Sequence, residues 1–145
     1  MKLQGAIFDF EGTLLDGEGR PLPGVEAFLF LMKLEDVWMY VSADRDRPGV
    51  QEAVRKAGLA PHFKGVMAAD EFRRDTLDPA FYDKVVRRLR TAPQATPVFT
   101  AREEVLRSLA AAGIPVVLVG SGHSPETAAL AVEVIPDYRD MSKLP

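Results

Sequence analysis

The segment 5–16, GAIFDFEGTLLD, holds the residues best able to do chemistry. An apolar run ends in a carboxylate, Asp9, and a second acid, Glu11, follows two residues later. Gly12 permits an unusual turn, and Thr13 offers a hydroxyl. A carboxylate at a strand tip is placed to attack phosphorus or to hold a magnesium ion, a cation that prefers hard oxygen ligands. Further along, Arg45 and Arg47 can hold an anion, because guanidinium matches phosphate and carboxylate geometry. The run 120–124, GSGHS, is glycine-rich and precedes a helix start, but it lacks a P-loop lysine and reads as a loop. His62 and His123 stand isolated in the sequence.

Positioning these groups falls to alternating elements. Apolar runs at 6–10, 37–42, 65–68, 96–99, 115–119 and 132–135 read as strands. Helical patterns lie near 24–33, 48–57, 79–89, 102–112 and 125–131. Pro48, Pro79 and Pro125 suit first helical turns, Ser124 an N-cap, and Gly58 and Gly113 C-terminal caps. Thr100 and Glu103 form a Thr-x-x-Glu pattern, which predicts a capping box. Continuous apolar runs such as 116–119 suit strands covered on both faces. The order implies an α/β fold: a doubly wound, mostly parallel, Rossmann-like sheet with helices on both faces. Chemistry in such sheets gathers where strands end, here at 9–13, 42–47, 70–76, 100–104 and 120–123. In the first helix Val25, Phe28, Leu29 and Met32 make a core stripe. Ala27, Phe30, Leu31 and Leu34 make a second apolar stripe, open either to burial or to self-association.

The 145 residues suffice for one domain with a sizeable core, spanning 1–145. A net charge of −3 with no block of like charges gives no sign of a nucleic acid or anionic membrane partner. The absence of cysteine excludes disulfides, thiolate metal sites and cysteine nucleophiles. No stretch reaches the roughly 20 apolar residues of a membrane helix, and the start does not read as a signal peptide, so a cytoplasmic location is expected.

The segment around Asp9 resembles the first motif of the haloacid dehalogenase superfamily, Asp-x-Asp-Gly-Thr-Leu. Val41-Ser42 is similar to the second motif, whose Ser or Thr binds phosphate. The run 78–82, DPAFY, 110–117, AAAGIPVV, and the ending 135–145 also fit the family layout. The resemblance implies Asp9 as nucleophile, Glu11 as general acid and base, and both as ligands of magnesium. It implies Thr13 and Ser42 as phosphate ligands, with Arg45 nearby. The intervals between Asp9, Ser42 and Asp78 leave no room for a cap, so a core domain without cap insertion is expected.

Two family features are missing. Thr76 stands where the family has a charge-steadying lysine, leaving Lys64, Arg73 or Arg74 as substitutes. Thr100 and Ala101 replace the acidic pair that completes the magnesium site, with Glu103 or Glu104 as distant alternatives. Phosphoryl transfer depends on positioning and charge neutralisation. The expectation is therefore a hydrolase-fold protein with absent or much reduced phosphohydrolase activity, acting by binding or assembly. The alternative is an active magnesium-dependent phosphomonoesterase working through an aspartyl-phosphate. A third reading is a receiver-like domain phosphorylated on Asp9 without turnover. Magnesium belongs to the active reading only. The expected partner is a small phosphorylated molecule, a macromolecule or a second copy of the chain.

Overall fold

A computed structural model describes residues 2–139. The last six residues of the family-like ending, 140–145, lie outside it. Six parallel strands form one sheet in the order β3-β2-β1-β4-β5-β6. They are β1 Gly5–Asp9, β2 Trp38–Ala43, β3 Gly65–Ala68, β4 Val98–Thr100, β5 Val116–Val119 and β6 Glu133–Ile135. The helices are α1 Val25–Leu34, α2 Arg47–Lys56, α3 Pro79–Leu89, α4 Glu103–Ala111 and α5 Pro125–Ala128. The order reverses direction between β1 and β4, the switch point where open α/β sheets place their sites.

Alternation along β1 decides which groups go where. Phe8 points to one face, stacking on its registered neighbour Phe99 at 4.6 Å and meeting Phe28 of α1 edge-on at 6.3 Å. Val50 and Val54 of α2 join that layer. Ile7 points to the other face, among Tyr82 and Val85 of α3 and Leu106 of α4. Asp9 is two residues beyond Ile7, so it emerges on the α3/α4 side at the strand's tip. Burying rings such as Phe8 and Phe99 contributes about 2–3 kcal/mol each. They fix the carboxylate's base from below.

The expected elements are all present, with small shifts. β4 starts two residues late because Thr96 closes a 3₁₀ turn, Pro93–Ala95, its hydroxyl donating to the Ala92 carbonyl at 2.8 Å. α5 stops at Ala128 because the chain must turn to bring Val132 N–H onto the Val116 carbonyl at 2.9 Å. Gly58 and Gly113 have φ of +77° and +78°, as residues closing a helix require. The core stripe of α1 is buried as expected, whereas its second stripe is open: Phe30 is 54% and Leu34 63% exposed. Burial of that helix on all sides is thereby excluded within the described residues. No helix among them is long and apolar enough to cross a membrane.

Tyr138 ties the chain's end to the loop after β1. Its phenol donates to the Thr13 carbonyl at 2.7 Å, its amide to the Pro23 carbonyl at 3.0 Å, and its ring packs on Phe28. Tyr138→Phe strands a buried carbonyl and is expected to cost about 1–2 kcal/mol in urea denaturation. An unchanged midpoint would show that this tie carries no stability.

Candidate functional site

Asp9 is fully buried at the tip of β1. A buried carboxylate demands donors, and here they come from the tip of β4 and the turn that follows it. Thr100, ending β4, donates its hydroxyl to Asp9 Oδ2 at 2.7 Å. Arg102 donates Nε to the same oxygen at 2.8 Å and Nη2 to Oδ1 at 2.7 Å. This is the side-on, two-point fork for which guanidinium is suited. Nη2 also reaches Thr76 Oγ1 at 2.7 Å, and Nη1 reaches Asp44 Oδ2 at 3.3 Å. Asp44 in turn accepts from the Thr76 amide at 2.8 Å and hydroxyl at 2.7 Å through Oδ1.

Arg102 arrives here because it is the N-cap of α4. Its backbone is extended (φ −95°, ψ 119°), and its amide donates to Thr100 Oγ at 3.0 Å. The hydroxyl of Thr100 is thus spent between Asp9 and Arg102, and the capping box expected from Thr100 and Glu103 does not form. No side chain caps α4 at its start.

Charge follows this geometry. Burial pushes the Asp9 carboxyl up, while the Arg102 hydrogen bonds and charge and the Thr100 hydroxyl pull against it; the net direction is upward. Burial would likewise raise Asp44, but the Thr76 hydroxyl and amide, with Arg102, outweigh it and hold the carboxyl below its usual range. Burial works against the Arg102 cation, yet the two carboxylates keep it firmly protonated.

The remaining sequence candidates sit as follows. Glu11 is exposed, and its carbonyl accepts the Thr13 hydroxyl at 3.2 Å. Thr13 is buried, its Oγ also accepting the Ala101 amide at 3.1 Å, so it stitches the loops after β1 and β4. Ser42 pairs in register with Asp9 and its Oγ is buried beside Tyr82, with no partner in hydrogen-bond geometry; the Tyr82 phenol gives its proton to the Thr76 carbonyl at 3.0 Å. Arg45 is exposed, and its neighbour Asp44 is the residue that reaches the site.

None of the three proposed substitutes for the lysine supplies the cation. Lys64 precedes β3 at the opposite ends of the strands, over the Trp38 ring at 4.8 Å. Arg74 is bound to Asp78 at 2.6 Å, and Arg73 is exposed in a left-handed turn. Arg47 pairs with Glu71 at 3.1 Å. Sequence reasoning missed Arg102 and Asp44, although both lie in the strand-end windows 100–104 and 42–47.

Glu103 turns away from Asp9. Its Oε2 meets His123 Nδ1 at 2.6 Å, and Oε1 accepts from Arg107 at 3.0 Å and Thr127 at 3.4 Å. His123 Nε2 faces the Val119 carbonyl at 3.2 Å. With an acceptor at each ring nitrogen, His123 is placed to donate from both when protonated, and it is not the isolated side chain its sequence position suggests.

The family model for haloacid dehalogenase-like hydrolases matches residues 3–141. The chain belongs to that family. Solved structures agree in fold across nearly the whole chain. A putative β-phosphoglucomutase from Thermotoga maritima is 16% identical, with 96% of each chain covered and a TM-score of 0.82. The L-2-haloacid dehalogenase of Xanthobacter autotrophicus is 15% identical, with 96% of each chain covered and a TM-score of 0.76. A putative family hydrolase from Bacillus subtilis, bound to magnesium, is 9% identical with 97% of each chain covered and a TM-score of 0.83. No curated protein matches the sequence.

Hydrolases of this family generally use magnesium. The donor set here does not fit that ion. Both Asp9 oxygens already accept from Arg102, Thr100 and Ala101 contribute no anionic oxygen, and Glu103 is held by His123. Among the described residues no three His, Asp or Glu side chains converge as a metal site.

The Glu103–His123 clamp fixes the start of α4, next to Arg102, and its pH dependence has a definite sign. The hydrogen bond to Glu103, against some burial, raises the imidazole's pKa, and the same bond lowers that of Glu103. The histidine's contribution is complete below its unfolded pKa of about 6.5 and is lost as pH rises through the raised folded value. The glutamate's contribution holds above its unfolded pKa of about 4.3 and is lost as pH falls through the lowered one. His123→Ala should therefore cost more stability near about pH 6 than near about pH 9, measured by denaturant midpoints. Equal losses at both would show that the clamp carries no charge.

Proposed function

We propose that this protein is a haloacid dehalogenase-like fold without a cap, whose phosphohydrolase activity is absent or much reduced, and that it acts by binding or assembly. The observation that carries this reading is the Arg102 fork on both oxygens of Asp9. A nucleophilic carboxylate needs a free lone pair aimed at phosphorus and a cation free to take up the phosphoryl charge. Here one contact engages both: the fork covers the two carboxylate oxygens, leaving a single lone pair on Oδ1 beside the guanidinium, and it commits the cation to Asp9. Four of the five guanidinium N–H groups are spent on Asp9, Asp44 and Thr76, and the side chain is only 21% exposed, so a phosphate would have to displace Asp9 to be held. Glu11, exposed, would stand as acid and base with no activated partner. Binding or assembly draws on the open apolar stripe of α1, with a macromolecule or a second copy as partner.

Two measurements separate this from the active magnesium-dependent phosphomonoesterase. With magnesium and an aryl phosphate, wild type should turn over no faster than Asp9→Asn; turnover that Asp9→Asn abolishes would establish the enzyme. Asp9→Asn should also lose about 3 kcal/mol of stability, because it leaves the mostly buried Arg102 without its main partner. An Asp9→Asn variant as stable as wild type, or more so, would show that the carboxylate is kept for chemistry and not for the fold.

A further inference from the structure

We infer that Arg102 is a tethered replacement for the divalent cation: its guanidinium is the permanent counter-ion shared by Asp9 and Asp44, and its removal leaves a site that takes up a divalent ion. This deepens the reading above at the same site, but it concerns ion binding and not turnover, so either can fail while the other stands.

Three observations carry it. The first is placement. Arg102 follows β4, which neighbours β1, so the acid-for-cation exchange occurs at the loop facing Asp9 across the switch point. The second is stoichiometry. Asp9 and Asp44 come from adjacent strands and each meets a different nitrogen of one guanidinium, while Thr76 bridges Asp44 and Arg102 through its hydroxyl. Two carboxylates held around one cation form the kind of oxygen-rich pocket that, without the arginine, suits a hard ion. The third is delivery. The N-cap geometry, the Arg102 amide on Thr100 Oγ and the Ala101 amide on Thr13 Oγ fix the backbone from which the side chain springs. The cation is therefore preorganised and needs no recruitment from solution.

A free ion and a tethered one differ in concentration dependence. Wild type should be indifferent to divalent ions, since a bound ion would have to expel a guanidinium from a two-point contact. Without Arg102, the buried Asp9 and the partly exposed Asp44 are left facing each other without a counter-ion, and a divalent ion relieves their repulsion. The pocket offers fewer anionic ligands than a dedicated site, so a Kd on the order of 10⁻⁴ M is expected.

The test titrates manganese, read by electron paramagnetic resonance and by thermal melting, against wild type, Arg102→Ala, Arg102→Gln and the double variant Asp9→Asn/Arg102→Ala. Circular dichroism reports whether each is folded. Wild type should bind no manganese at about 1 mM, with an unmoved Tm. Arg102→Ala or Arg102→Gln should melt lower, bind one ion and regain Tm as manganese rises, while the double variant should neither bind nor recover. A variant that folds only on adding manganese supports the inference equally. Manganese bound by wild type in an Asp9-dependent way overturns it. So does failure of both single variants to take up manganese, whether they are folded or remain unfolded throughout the titration.

Discussion

A carboxylate buried at a strand tip cannot remain there alone. Removing one member of a buried ion pair costs about 3–5 kcal/mol, a large share of the roughly 5–15 kcal/mol that keeps a domain folded. Asp9 is wholly buried, and Arg102 is the cation that answers it. The loops after β1, β2 and β4, together with Thr76 before α3, are arranged around that one contact. Thr100 and Thr76 each bond to one carboxylate and to Arg102. Thr13 binds the loop carrying Asp9 to the loop carrying Arg102. Thr76, Thr100 and Ala101, which the sequence marks only as departures from the family pattern, are thus working members of one network.

The fold supplies this network at little extra cost. A parallel sheet whose order reverses between β1 and β4 opens a crevice at the strand tips. Phe8 and Phe99, stacked in register just below, hold the two tips side by side. Tyr138 and Tyr82 close the loops from opposite faces of the sheet through their phenol hydrogen bonds. The Glu103–His123 clamp then pins α4 one residue beyond the arginine. Packing, loop and charge point to one geometry, which is what lets a side chain with many rotamers hold a two-point fork.

Much of this was legible in the sequence. Alternating apolar runs, prolines in first helical turns and glycines after helix ends gave the α/β order, because each reflects a local constraint on the backbone. Asp9 stood out as an acid at the end of an apolar run. The contacts that define the site were not legible. Arg102 sits 93 residues from Asp9 in sequence, and its role depends on β4 lying beside β1 and on an N-cap whose side chain turns back. The Thr100–Glu103 spacing suggested a capping box, but a buried acid competes for the same hydroxyl and wins. Lys64, Arg73 and Arg74 lie nearest in sequence to Thr76, but a guanidinium can enter from any strand-end loop, and the one that does is Arg102. Asp44 does not stand out beside Arg45 and Arg47 because nothing local marks it as turned inward.

The central claim is that Arg102 holds Asp9 continuously and yields to neither metal nor phosphate. Nitrogen-detected NMR of the Arg102 Nε–H group reports this directly, because a guanidinium locked in a fork exchanges slowly with water and its shift is set by its acceptor. The account predicts one slowly exchanging Arg102 resonance that stays in place as magnesium and inorganic phosphate are added together. A resonance that shifts or broadens with magnesium, or that exchanges as fast as those of exposed arginines, would contradict it.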